Sequence, residues 1–308
     1  MKIVIPGGAG LVGQNLVIML KEKGYNDLLV IDKHPTNVAI MRDLHPELDI
    51  IEANVSQKGS WCKSFKDVDV VLMLQAQIGG KFHQEFIDNN VTSTDVILET
   101  MAENNIKSLV HISSSVINST ANDWYIQTKT KQEGIVNDAN LNTCVLRPTL
   151  MFGWFDRKHV GWLSRFIRKV PVFPIPGNGK YMRQPLYVRD FCSVIISAIE
   201  GKMTGIYNIS GQEKIDYIDM IKLLKRATNA SAMIMKIPYS LFYFLLWVWA
   251  LFDKKPPFTT NQLEALVADD DFEVINWPSI FEVTSTPIEQ AFVETFQDEK
   301  FSSIELKF

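Results

Sequence analysis

The sequence predicts an α/β fold: a doubly wound parallel sheet with a smaller C-terminal lobe. Three observations carry that prediction. A short apolar strand, Lys2–Ile5, runs into a glycine turn with Gly7, Gly10 and Gly13 at its first, fourth and seventh places. Short apolar runs without polar alternation then recur between helical patterns, as parallel strands covered on both faces require. After Arg147-Pro148 the alternation stops, and prolines and glycines cluster at Pro171, Pro174, Pro176, Gly177 and Gly179.

The glycine turn opens a helix over Gly10–Lys23 whose apolar positions include Leu11, Leu16, Val17 and Leu20. Strand, glycine turn and helix together make a phosphate site. The turn admits a pyrophosphate close to the backbone, and the N–H groups and positive dipole end of the helix face it. A second strand, Leu28–Asp32, ends in an acid about 20 residues beyond the turn, where a carboxylate accepts the ribose hydroxyls of an adenosine. The remaining strands of this half are expected at Ile50–Glu52, Val68–Leu74, Ser108–Ser113 and Thr143–Leu146, with helices around Gln84–Asn104 and Tyr125–Asp138. Right-handed crossovers place every loop of interest on the carboxyl edge of the sheet. Residues 1–150 are read as the dinucleotide-binding domain, with some later segments returning to it. Residues 151–308 are read as a substrate lobe containing a helix around Phe191–Glu200, a strand at Ile206–Ile209 and a helix around Tyr217–Ala227.

The chain has 308 residues and a formal net charge of −4, with no dense Lys/Arg cluster, which argues against nucleic acid as a partner. Cys62, Cys144 and Cys192 form neither a disulfide framework nor a zinc pattern, and the five histidines lack metal-ligand spacing. No metal site is therefore expected. A strand starting at the second residue leaves no room for a signal peptide, so a cytoplasmic protein is expected. The run Ile237–Phe252 is dense in aromatics and is followed by Asp253-Lys254-Lys255-Pro256-Pro257. It is shorter than the ~20 residues of a membrane-spanning helix. A buried helix or a dimer face is one reading; a helix lying in a membrane interface, at the inner face of the membrane, is the other.

Tyr125-Ile126-Gln127-Thr128-Lys129 places a phenol and an ammonium one helical turn apart. The ammonium is expected to lower the tyrosine pKa and make it a usable acid or base. The serines Ser113-Ser114-Ser115 close the preceding strand, where a hydroxyl is placed to bond the reacting oxygen.

With these motifs the chain resembles the extended short-chain dehydrogenase/reductase family, which includes nucleotide-sugar 4-epimerases, dehydratases and 4-ketoreductases with Rossmann-like folds. The resemblance covers most of the chain. It implies catalytic roles for Ser114, Tyr125 and Lys129. It implies cofactor contacts from Gly7, Gly10, Leu11, Val12, Gly13, Asp32, Lys33, Asn54, Val55, Leu74, Gln75, Ala76 and Asn90, besides Tyr125 and Lys129. It implies substrate contacts from Ser115 and from Arg183, which matches an arginine that binds a sugar-nucleotide pyrophosphate. Arg147-Pro148-Thr149 and Phe152-Gly153 match the motif after the sixth strand. The implied cofactor is NAD; Lys33 and His34 leave NADP possible, although the Asp32 carboxylate repels a 2′-phosphate.

The sequence departs from the family pattern at Met73, usually His, at Gln75, usually Ala, and at Asn118-Ser119, usually Tyr-Gly. The interval from Ser114 to Tyr125 is also short. The implied function is NAD(P)-dependent oxidoreduction of a sugar carried on a nucleotide or polyprenyl diphosphate, as a 4-epimerase or 4-ketoreductase in surface-polysaccharide synthesis. A hydroxysteroid-like dehydrogenase and a non-catalytic dinucleotide-binding subunit, similar to the accessory subunit of respiratory complex I, are the alternatives. A homodimer through the Gln84–Asn104 and Tyr125–Asp138 helices is the implied assembly.

Overall fold

The computed structural model describes residues 1–118, 123–252, 260–267 and 272–307. Seven strands form one parallel sheet. In chain order six are β1 (Ile3–Pro6), β2 (Leu28–Asp32), β3 (Asp49–Glu52), β4 (Val70–Met73), β5 (Ser108–Ile112) and β6 (Asn142–Pro148); the seventh is Gly205–Ile209. Their spatial order is β3-β2-β1-β4-β5-β6 and then Gly205–Ile209, so the order reverses at β1. That reversal opens the crevice in which doubly wound sheets bind ligands.

The register explains the two cores. Ile3 pairs with Leu28 and Val70, and Val70 with Ser108, so each strand shows alternate residues to the same face as its neighbours. Ile3, Ile5, Val30, Leu72, Val110 and Leu146 pack with α1 (Leu11–Glu22) and the helix Val188–Glu200 on one face. Val4, Ile31, Val71, Met73, Leu109 and Val145 pack with Ile97, Met101 and Val136 on the other. Burial on both faces is why these strands read as continuous apolar runs.

The fold corrects the expected loops after Arg147-Pro148. Val172–Pro176 is a strand, paired in parallel with Met233–Ile237. Two prolines fit because, among the described residues, the strand has a single partner. The helix His159–Lys169 and the C-terminal helix Ile288–Gln297 complete the lobe's core around Phe152, Ile175, Tyr217, Ile221 and Phe292.

The chain's last described residues return to the sheet domain. Trp277 is fully buried and donates its indole N–H to the Ser210 carbonyl at 2.8 Å. Asn37 bonds the backbone of Lys307 through both its amide nitrogen and its oxygen, each at 2.8 Å.

The helix Tyr239–Phe252 is the exception to this packing. None of its residues is buried. The buried-helix reading of that run is therefore overturned: the helix Thr260–Val267 packs beside it, yet none of the run's apolar side chains is buried. Among the described residues no helix is long and apolar enough to cross a membrane. The residues Asp253 to Pro257 that follow, and Ser119 earlier in the chain, lie outside the described residues.

Candidate active site

The glycine turn packs against the end of β4. Gly7 has φ +76°, and a Cβ there would meet the Gln75 nitrogen at 2.4 Å. A Cβ on Gly13 would meet the Gly8 oxygen at 2.0 Å. Both positions need glycine for the protein's own packing. Gly10 differs: its φ is −81°, and a Cβ would find only the Gly7 oxygen, at 3.5 Å. The chain leaves the space above Gly10 open, at the start of α1, where no side chain caps the helix. The first-turn N–H groups of Leu11, Val12 and Gly13 belong to that end.

Asp32 stands at the carboxyl end of β2. Its carboxylate accepts from the Ala9 N–H at 3.0 Å and from the His34 N–H at 2.9 Å. Burial pushes its pKa above the usual carboxylate value, and the two N–H donors pull it back. The carboxylate thus fixes the glycine turn. Lys33 reaches across to donate to the Asn89 side chain at 2.7 Å. The Asn54 oxygen accepts from the Ser56 N–H and hydroxyl, and Val55 is buried beside it.

The other wall comes from the helix that follows β4. It runs from His83 to Glu103 and contains a stretch of wider, π-type turns at Ile87–Thr92. Such stretches recur at functional sites. Here the wider turns carry Asn90, which is fully buried. Asn90 accepts from the Gln77 N–H at 2.6 Å and donates to the Gln77 carbonyl at 3.2 Å and the Thr128 hydroxyl at 2.9 Å. It pins the segment after β4 to the helix Trp124–Asp138. Leu74 and Ala76 lie in that segment, Ala76 exposed. Gln75 is buried, and its amide carbonyl finds no partner.

The helix Trp124–Asp138 is capped by Asp123, whose side chain accepts from the Ile126 N–H at 2.9 Å. Tyr125, half-buried in its first turn, lies beside Ser114, whose hydroxyl favours the ionised phenol. The three serines separate by partner. Ser113 donates to the Glu133 carboxylate, the Ser114 hydroxyl accepts from the Val116 N–H at 3.5 Å and lies beside Tyr125, and Ser115 begins the short turn Ser115–Asn118.

Lys129 corrects one expectation. Its ammonium is fully buried and donates to the Ile112 carbonyl at 2.9 Å and the Gln132 side-chain oxygen at 2.6 Å. Burial lowers its pKa to about 7, against the opposing pull of Glu133. Tyr125 is not depressed: burial raises its pKa, and the neighbouring Ser114 hydroxyl offsets part of that. The spacing puts Tyr125 and Lys129 on one helix face, but the carbonyl at the end of β5 captures the ammonium.

A folded-state pKa below the unfolded value of 10.5 means that the unfolded chain binds more protons above about pH 7. The NAD-free protein should therefore gain stability from this group as pH rises from about 7, and Lys129→Met should remove the gain. Melting temperatures of both proteins, compared from pH 6 to about pH 9, check it: a constant gap would refute the assignment.

Sequence reading missed the polar bed beneath this site. Gln132 donates to the Thr94 hydroxyl at 2.9 Å, and Thr94 to the Asn90 carbonyl at 2.8 Å. Glu133, nearly buried, takes a two-pronged ion pair from Arg147. The available signal was spacing: Gln132 and Glu133 follow Lys129 by three and four residues and so share its face.

Arg183 sits in the other lobe, on the two-residue strand Met182–Arg183. Its guanidinium bonds the Met182 and Leu266 carbonyls and lies 5.4 Å from the centre of the Tyr181 ring. Among the described residues no group of three His, Cys, Asp or Glu is placed to hold a metal ion.

The model of the NAD dependent epimerase/dehydratase family matches residues 3–210, from β1 through Gly205–Ile209. The chain belongs to that family. Its sequence is 23% identical to the low-salt glycan biosynthesis protein Agl12 of Haloferax volcanii over 264 residues, 75% of this chain and 84% of the relative. It is 25% identical over 278 residues to the sterol-4-alpha-carboxylate 3-dehydrogenase, decarboxylating, of Mus musculus, 81% of this chain and 75% of that one. In fold it is similar to a UDP-glucuronic acid 4-epimerase from Bacillus cereus solved with NAD: TM-score 0.74, 20% identity, 96% of each chain.

Membership makes NAD the cofactor of this chain, and the site fits it. The turn leaves room above Gly10 where a pyrophosphate would sit, the helix end offers N–H groups, and Asp32, bonded to the turn at Ala9, would meet the adenosine ribose. When bound, NAD supplies a hydride acceptor.

Proposed function

We propose that this family member oxidises and reduces a hydroxyl of a sugar carried on a nucleotide or polyprenyl diphosphate, as a 4-epimerase or 4-ketoreductase. The Tyr125–Ser114 pair carries the reading. It joins a phenol and a hydroxyl on the same carboxyl edge as the glycine turn, and Asn90 ties that helix to the segment packed on Gly7. Tyr125 takes the proton of the sugar hydroxyl, and Ser114 orients the oxygen. The positive charge of the oxidised nicotinamide favours the phenolate that burial alone opposes. Lys129, a turn away, holds the ribose in this reading and supplies a buried cation beneath it. Arg183 serves the diphosphate, exchanging the Leu266 carbonyl for phosphate oxygens; a charged group is the better acceptor for a guanidinium. A homodimer through the two helices beside the site belongs to the same proposal.

The similarity to a sterol dehydrogenase favours a second reading, a hydroxysteroid-like dehydrogenase. That substrate has no diphosphate for Arg183 to hold.

The test is the nucleotide released when the purified protein is denatured, followed by turnover of UDP-linked and sterol substrates. Retained NAD or NADH with conversion of a UDP-sugar is the expected outcome for an epimerase. An exchangeable site with net oxidation or reduction of the sugar is expected for a ketoreductase. Turnover of the sterol alone supports the second reading, and failure to bind NAD or NADP overturns both.

A further inference from the structure

The aromatic helix Tyr239–Phe252 has no place in the chemistry above, and its surroundings point elsewhere. We propose that it docks the protein on a lipid bilayer, lying in the interface between headgroups and acyl chains.

The first observation is how much of the helix is bare. Leu241, Phe244, Leu245, Trp247, Trp249, Leu251 and Phe252 are each between 47% and 86% exposed, and only Phe242, Leu246 and Val248 are half-covered. At 100° per residue, the exposed positions fill the circumference except for a narrow stripe through Phe242 and Leu246. A second protein surface covers one side of a helix. A helix lying among headgroups and upper acyl chains meets apolar or amphipathic surroundings on every side except the stripe it turns to its own protein. An exposed apolar surface of this kind marks an interaction site, and its shape selects the surrounding medium.

The second observation is composition. From Asn229 to Phe252 the only charged residue is Lys236. The helix carries two tryptophans and two tyrosines, the residues that settle at a membrane–water boundary. Its 14 residues span about 21 Å, too short for the ~30 Å hydrocarbon core. An interfacial position is the one that length allows.

The third observation is the approach to the helix. The strand Met233–Ile237 leads into it, with Met233 and Met235 exposed. Lys236 is exposed on that strand, and Lys180 is exposed just beyond Gly177, whose N–H bonds the Ile237 carbonyl at 2.7 Å. Both lysines lie on the segments that lead to the helix entrance, where anionic headgroups would meet them.

This inference does not depend on the catalytic reading, because vesicle binding needs no substrate. The probe is the full-length protein with vesicles of equal parts phosphatidylcholine and phosphatidylglycerol, spun through a density gradient. The wild-type protein is expected to float with the vesicles, and its tryptophan emission to shift to the blue. Trp247→Ser with Trp249→Ser is expected to lower the partition coefficient by about tenfold or more, given the apolar area removed. NAD binding and far-ultraviolet circular dichroism should be unchanged. A second variant, Leu251→Ser with Phe252→Ser, guards against misfolding, since these side chains are 64% and 86% exposed; it should also lose flotation. A wild-type protein that stays at the bottom of the gradient overturns the proposal, as do variants that float equally well. Self-association that both variants dissolve, with no flotation, would instead make the helix a contact between copies.

Discussion

Tyr125→Phe should reduce turnover of the sugar substrate by about 10²–10⁴-fold, the range of a positioned acid–base group, and leave NAD bound. The phenol lies beside the Ser114 hydroxyl and belongs to a group able to take and return a proton. Its pKa is raised by burial, so the free protein holds the phenol protonated well above neutral pH. Catalysis then requires charge that the oxidised nicotinamide supplies. The phenol should accordingly ionise at lower pH in the NAD-bound protein than in the NAD-free one, which titration of the tyrosine absorbance in both forms checks. The substitution removes one hydroxyl at a half-buried position, so its structural cost is about 1 kcal/mol. Unchanged turnover in a protein that still binds NAD would remove Tyr125 from the mechanism.

The glycines of the turn should separate into two classes when each is replaced by alanine. Gly13→Ala forces a Cβ to within 2.0 Å of the Gly8 oxygen, so α1 must move off the turn. Overpacking of this kind costs about 1–3 kcal/mol, and here it also displaces the N–H groups that face the pyrophosphate. Both thermal stability and NAD affinity should fall. Gly10→Ala meets nothing closer than 3.5 Å within the protein. Its melting temperature without NAD should match the wild type, while NAD affinity drops by tenfold or more, since ~1.4 kcal/mol of lost contact suffices. Calorimetry with and without NAD checks both. A Gly10→Ala protein that binds NAD normally would mean the pyrophosphate lies away from that glycine.

Much of the sheet was legible because double burial writes itself into the chain. Leu28–Asp32 matches the observed strand, and Ile3–Pro6, Val70–Met73 and Ser108–Ile112 differ from their expected spans by one or two residues at an end. The helix Pro35–Leu44 was missed because only Asn37, Val38 and Met41 of its ten residues are buried. Val172–Pro176 was hidden by its prolines, which a strand with a single partner tolerates. An apolar run cannot say whether it is covered, so Tyr239–Phe252 read equally well as core. The candidate site was legible as a set of positions and illegible as a set of bonds. Spacing placed Lys129 one turn from Tyr125; it could not show that the Ile112 carbonyl would take the ammonium.

The buried face of the helix Trp124–Asp138 consists of Thr128, Lys129, Gln132, Glu133 and Val136, only the last of them apolar. The helix is therefore held beside the sheet by directional bonds to Asn90, Thr94, Ile112, Ser113 and Arg147 more than by greasy contact. Greasy contacts tolerate drift, because a methyl lost in one place is absorbed nearby. A closed polar set does not, since each member that leaves strands its partner in a dry interior. Replacing any one of these side chains by an apolar one should therefore loosen the whole helix rather than a single contact.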